Sequence, residues 1–169
     1  MDIDELKCAL GGVVLESAHL ERVLRGTFSA LVGSKYAAVF DGRMTAHTLI
    51  EDCHHIARVH TGLSESARAE LSEALNACDA ANRQRNRVIH DSWAYRPGSA
   101  LVTLQSQRDS QDVTVITRSL AELADLADQI AAAVGKLAAA VTGALGADSL
   151  RTEDQLRAEL GHDIGADLG

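Results

Sequence analysis

Apolar residues recur at helical spacing along most of this chain, and almost nothing interrupts them. Ile3, Leu6, Leu10, Val13, Leu20, Leu24, Phe28 and Leu31 form one stripe, broken at helical intervals by Glu16, His19, Glu21 and Arg22. The spacing predicts a first helix over residues 3 to 31, in which Gly11 and Gly12 either weaken the helix or admit a close helix contact. A looser segment follows from Gly33 to Arg43. A second helix is predicted from about Thr45 to His60, with Leu49, Ile50, Cys53, Ile56 and Ala57 inward and Gly62 at the position of a C-terminal cap. A third starts near Ser64, carries Glu65 in its first turn, and ends before the turn signal Arg96-Pro97-Gly98. Pro97 is the only proline and aromatic residues are 3%, so alanine, leucine and valine must fill the core, a mix that favours helix.

The period then changes. Leu101, Val102 and Leu104, followed by Val113, Val115 and Ile116, lie in short β-rich runs separated by the polar residues 107 to 112, which predicts a β-hairpin. Ser119 and Glu122 form a capping box before a long helix carrying Leu123, Leu126, Ile130, Leu137 and Val141 among small alanines. After Gly146 the composition shifts. Residues 147 to 169 hold six acids and two arginines, half of the net charge of −8, with one short helix expected near 149 to 160. The expected fold is all-α: an antiparallel four-helix bundle over residues 1 to 146, a small hairpin between the third and last long helices, and an acidic C-terminal tail over 147 to 169.

Charge and composition exclude several classes. A chain of net charge −8 does not suit a general nucleic-acid coat, although a local arginine-lined phosphate site stays compatible with it. No run of about 18 uncharged apolar residues is present, so no membrane partner is expected. The acidic start MDIDELK lacks the basic opening of a signal peptide, and Cys8, Cys53 and Cys78 show no CxxC spacing, which fits reduced thiols in a cytoplasm. His47, Glu51 and His55 share a four-residue spacing, but adjacent His54 and His55 point about 100° apart on a helix, and no metal or other cofactor is expected. The glycines at 11 and 12 lack the lysine and spacing of a phosphate loop.

The chemistry concentrates in RQRNRVIHDSW, residues 83 to 93. At about 100° per residue, Leu75, Cys78, Asn82, Arg85, Ile89 and Trp93 fall within about 40° of Leu71, while Arg83 and Arg87 lie on the solvent side. Arg85 therefore stands where a leucine belongs. Such a guanidinium requires either a counter-ion, for example Glu16 or an acid of the last helix, or a cleft. Asn86 and His90 lie one turn apart on the flank. An arginine and a histidine together suit phosphodiester cleavage without a metal: the histidine moves a proton at neutral pH, and the arginine holds a phosphate and offsets developing charge.

Arg85-Asn86-Arg87-Val88-Ile89-His90 resembles the R-x(4–6)-H motif of the HEPN (higher eukaryotes and prokaryotes nucleotide-binding) superfamily, in the form with asparagine directly after the arginine. The resemblance covers roughly residues 1 to 146. It implies a helical bundle that forms a homodimer through the motif helix, and a composite cleft that cleaves RNA in toxin–antitoxin or phage-defence systems. By that resemblance Arg85 and His90 are the catalytic pair and Asn86 orients the histidine or the phosphate. Arg83, Arg87 and Asp91 then serve substrate binding, with Arg83 an alternative phosphate ligand because it also precedes His90 at motif spacing. RNA is the implied substrate and an antitoxin a possible protein partner. Two copies of Arg83, Arg85 and Arg87 would bring six positive charges together. One toxin subgroup carries a modifiable tyrosine two residues after the histidine; here that position is Ser92. The alternative is a non-catalytic HEPN-like module that binds a nucleotide or a protein, with Arg85 in a structural ion pair.

Overall fold

A computed structural model provides the structure, which describes residues 3–34, 36–90, 92–94, 101–106, 113–146 and 149. The chain is mostly helical. Its elements run α1 (Ile3–Val32), α2 (Ala37–Asp41), α3 (Ala46–Val59), α4 (Glu65–His90), β1 (Ser92–Ala94), β2 (Leu101–Ser106), β3 (Val113–Arg118) and α5 (Leu120–Leu145).

Local chemistry sets the helix ends. Thr45 starts α3 with extended backbone, and its hydroxyl accepts the Thr48 N–H at 3.2 Å. The Ser64 hydroxyl accepts from the Ala67 N–H at 3.1 Å ahead of α4. Ser119 and Glu122 close the capping box of α5 in both directions, at 3.1 Å and 2.6 Å. Each bond satisfies a first-turn N–H or the cap residue's own N–H that the helix ladder leaves over. Two expectations need correction here. Gly62 is not a left-handed cap; among the described residues the glycines of positive φ are Gly33 and Gly146, and α3 ends on His60, whose N–H donates to the Ile56 carbonyl. The segment after Gly33 also contains a short helix, α2, that its loose pattern did not announce.

The core lies where α5 meets α1 on one side and α4 on the other. Leu6, Val13, Leu20, Leu24 and Leu31 of α1, Leu71, Leu75 and Cys78 of α4, and Leu123, Ile130, Leu137 and Val141 of α5 are all buried in it. Helix α3 packs against α1 and α4 through Leu49, Ile50, Cys53 and Ala57. The α1 stripe differs from its pattern at the edges, since Ile3 is exposed and Leu10 only partly buried, while Ser17 and Thr27 are inside. Their hydroxyls donate to the carbonyls of Val13 and Val23 one turn back, which removes the cost of burying them.

Helix α4 ends earlier than its pattern suggests. Ser92–Ala94 is a strand, paired antiparallel with β2 so that Trp93 lies opposite Thr103, and β2 in turn pairs antiparallel with β3. Trp93 is therefore not on the helical stripe. Ladder hydrogen bonds to β2 replace the helical ones after His90, an outcome set by long-range pairing that a helical wheel does not register. The residues of the expected 107–112 loop, and the tail with its expected short helix, lie outside the described residues except for Ser149.

The two adjacent glycines of α1 resolve differently. A methyl group built at Gly12 would sit 3.9 Å from the Ala127 Cβ of α5, an ordinary contact, and one at Gly11 would meet nothing within 4 Å. Neither position requires glycine. Gly11→Ala is expected to stabilise the protein by about 0.5–1 kcal/mol through helix propensity alone. Urea unfolding followed by circular dichroism checks it; a lower midpoint with unchanged slope would contradict a continuous helix at that point.

Candidate functional site

The C-terminal third of α4 carries the basic cluster, and burial separates its three arginines. The core side of α4 runs through Leu71, Ala74, Leu75, Cys78, Ala81, Asn82 and Val88. Arg85 stands within that stripe, and its side chain is only 20% exposed, against 70% for Arg83. Arg87 is exposed. The stripe is rotated slightly from the predicted one, because Val88 and not Ile89 is fully buried at its end.

Arg85 has its counter-ion inside the chain. Its Nη2 donates to Glu21 Oε1 on α1 at 2.7 Å, and its Nη1 donates to Asn86 Oδ1 at 2.8 Å. The partner is thus neither Glu16, which lies 3.7 Å from His19, nor an acid of the last helix. Asn86 turns its carbonyl oxygen to Arg85, which leaves its amide N–H groups outside that contact. These two bonds fix the plane of the guanidinium and use two of its five N–H donors. The remaining three have no partner among the described residues.

Arg83 pairs with Asp79 one turn earlier, an exposed-side contact at the helical spacing that favours such pairs. Asp79 is itself mostly buried at 19% exposure; its Oδ1 has no hydrogen-bond partner among the described residues and lies 3.9 Å from His47 Nδ1. Two of the three arginines are therefore offset by carboxylates of their own chain. The expectation of six unbalanced positive charges in a dimer is reduced to the two contributed by Arg87. Of the other predicted site residues, His90 is the last residue of α4 and its side chain lies outside the described residues, as does Asp91 altogether.

The remaining reactive side chains do not build a second centre. Among the described residues no three His, Cys, Asp or Glu side chains are grouped to hold a metal ion. His47 Nε2 instead lies 3.5 Å from Glu51, and His55 is exposed. Cys53 and Cys78 are buried, and that burial pushes both thiols up to about 12, so neither supplies a thiolate nucleophile near neutral pH. No helix among the described residues is long and apolar enough to cross a membrane. Compared with protein-family models, with curated proteins and with solved structures, the chain shows no significant match.

Sequence reasoning missed Glu21 and Asp79. Asp79 was within reach, because an acid four residues before an arginine on a helix is a recognisable pair. Glu21 was not, because it lies 64 residues from Arg85 and meets it only through the rotation of α1 against α4. The Arg85–Glu21 pair is testable by a double-mutant cycle. Arg85→Ala, Glu21→Gln and their combination are expected to give a coupling of about 1–2 kcal/mol in chemical unfolding, a value suited to a partly buried pair. Additive losses would mean that the contact carries no energy.

Proposed function

We propose that this chain is a HEPN-like helical module, an antiparallel four-helix bundle with a hairpin before its last helix, that acts as a metal-independent endoribonuclease of toxin or defence type. The observation that carries this reading is the state of Arg85. It is drawn into the core-facing stripe, held at two points by Glu21 and Asn86, and left with three donors for a phosphate. A guanidinium fixed before substrate arrives loses little freedom on binding it, which is what stabilisation of developing charge requires. His90, five residues on at the end of the same helix, supplies the proton-transfer group.

In this reading the 2′-hydroxyl of RNA attacks the adjacent phosphorus. The bond from the 2′-oxygen to phosphorus forms as the bond to the 5′-oxygen breaks, leaving a 2′,3′-cyclic phosphate. His90 takes the hydroxyl proton or delivers one to the leaving oxygen, and Arg85 offsets the charge that builds on the phosphoryl oxygens. The cleft is composite, formed where the motif helices of two copies meet. Arg87 supplies its attraction for the backbone, and Arg83 and Asp91 serve substrate binding with it.

The Arg85–Glu21 pair also favours a second reading. A carboxylate that neutralises the arginine suits a non-catalytic HEPN-like module, which binds a nucleotide or a protein partner and uses the pair to tie α1 to α4. One assay separates the two. Structured and single-stranded RNAs are incubated in excess chelator with the wild type, Arg85→Ala and His90→Ala. The nuclease reading expects cleavage by the wild type and a loss of about 100-fold or more in each variant, with folding of His90→Ala unchanged. RNA left intact by all three proteins, with stability lost only in Arg85→Ala, establishes the second reading instead.

A further inference from the structure

A cavity of about 420 Å³ opens between α3 and the start of α4, lined by Glu51, His54, Ala57, Arg58, Arg68 and Ser72. Ser72 is thirteen residues before Arg85 on the same helix, so the cavity lies about 20 Å from the cluster described above, at 1.5 Å per residue. Nothing in the proposed cleavage chemistry uses it.

Its charge is unbalanced. Arg68 is partly buried, and its Nε donates to the Ala57 carbonyl at 3.0 Å while its Nη2 donates to the His60 and Leu63 carbonyls at 3.1 and 3.3 Å. These bonds anchor the arginine at the C-terminus of α3, where unpaired carbonyls attract a cation. They satisfy three donors and leave both Nη1 hydrogens without a partner among the described residues. Arg58, exposed beside it, donates only to the His54 carbonyl at 3.4 Å. No carboxylate lies within ion-pair distance of either guanidinium among the described residues. Glu51, the acid of the lining, is 65% exposed, so solvent screens its charge, and its Oε1 lies 3.5 Å from His47 Nε2. His54, at the edge of the cavity, has its pKa lowered, by burial first and by Arg58 second, and its ring hydrogen-bonds the Asn76 side chain.

We propose that this cavity binds a phosphate-bearing small molecule, with Arg58 and Arg68 taking the phosphate and the Ser72 hydroxyl adding a donor. A phosphate matches two guanidiniums in charge and offers them enough oxygens for parallel hydrogen bonds. The space is many times the roughly 30 Å³ share of one water, so an organic body fits beside the phosphate.

Inorganic pyrophosphate is the probe, titrated calorimetrically into the full chain at constant ionic strength. The wild type is expected to bind one equivalent, and Arg58→Gln and Ser72→Ala each to weaken it about tenfold, as loss of a charge-assisted or hydroxyl contact does. Arg58 is a surface position, so its replacement leaves the fold intact, and circular dichroism verifies that. Arg85→Ala is expected to bind as the wild type does. No binding by the wild type, or binding that Arg85→Ala abolishes while Arg58→Gln retains it, would overturn the proposal. Its outcome is independent of whether the chain cleaves RNA.

Discussion

Helix α5 is the surface on which the rest of the chain is assembled. Its buried face carries Leu123, Leu126, Ile130, Ala133, Val134, Leu137 and Val141, and both α1 and α4 pack against it. With so few aromatic residues, the core depends on this aliphatic packing, and truncating a fully buried leucine such as Leu137 would leave a cavity. The arrangement has one consequence for the site. Helices α1 and α4 both rest on α5 but touch each other sparingly, and the Glu21–Arg85 ion pair is a polar link between them. The guanidinium that the motif places on the core side of α4 is thus accommodated by a carboxylate from a helix more than sixty residues away.

That accommodation bears on function in two ways. It orients Arg85, and it offsets the charge that a phosphate would meet. Arg83 is offset in the same manner by Asp79, so the attraction for a polyanion falls mainly to Arg87. An acidic chain that engages RNA has to concentrate positive potential locally, and a second copy of the same helix end is the most economical source of it. The cavity between α3 and α4 follows the opposite logic. Its two arginines are held by backbone carbonyls, which satisfy hydrogen bonds without cancelling charge.

Much of the helical content was legible in the residues because it is written in local chemistry. The capping box at Ser119 and Glu122, the Thr45 cap and the apolar periods of α1, α3 and α5 are all short-range signals, and the structure has helices where they occur. The departures are long-range. Trp93 leaves the helix because β2 pairs with it, and Val88 replaces Ile89 inside because α4 is rotated as it docks. At the site, the wheel separated Arg85 from Arg83 and Arg87 correctly, since facing is a local property of a helix. It could not name Glu21, since which two helix faces meet depends on the packing of the whole core. Nor does spacing show that the Asn86 oxygen accepts from its neighbour Arg85, a contact set by side-chain conformation.

The proposed role of the end of α4, promoting attack by an RNA 2′-hydroxyl, depends on the sugar of the substrate. The most direct measurement compares one RNA with the same sequence carrying hydrogen in place of every 2′-hydroxyl, both incubated with the protein in excess chelator. The account predicts that the RNA is cut, that its fragments end in 2′,3′-cyclic phosphate, and that the deoxy strand stays intact. Cleavage of both strands, or of neither, would contradict it.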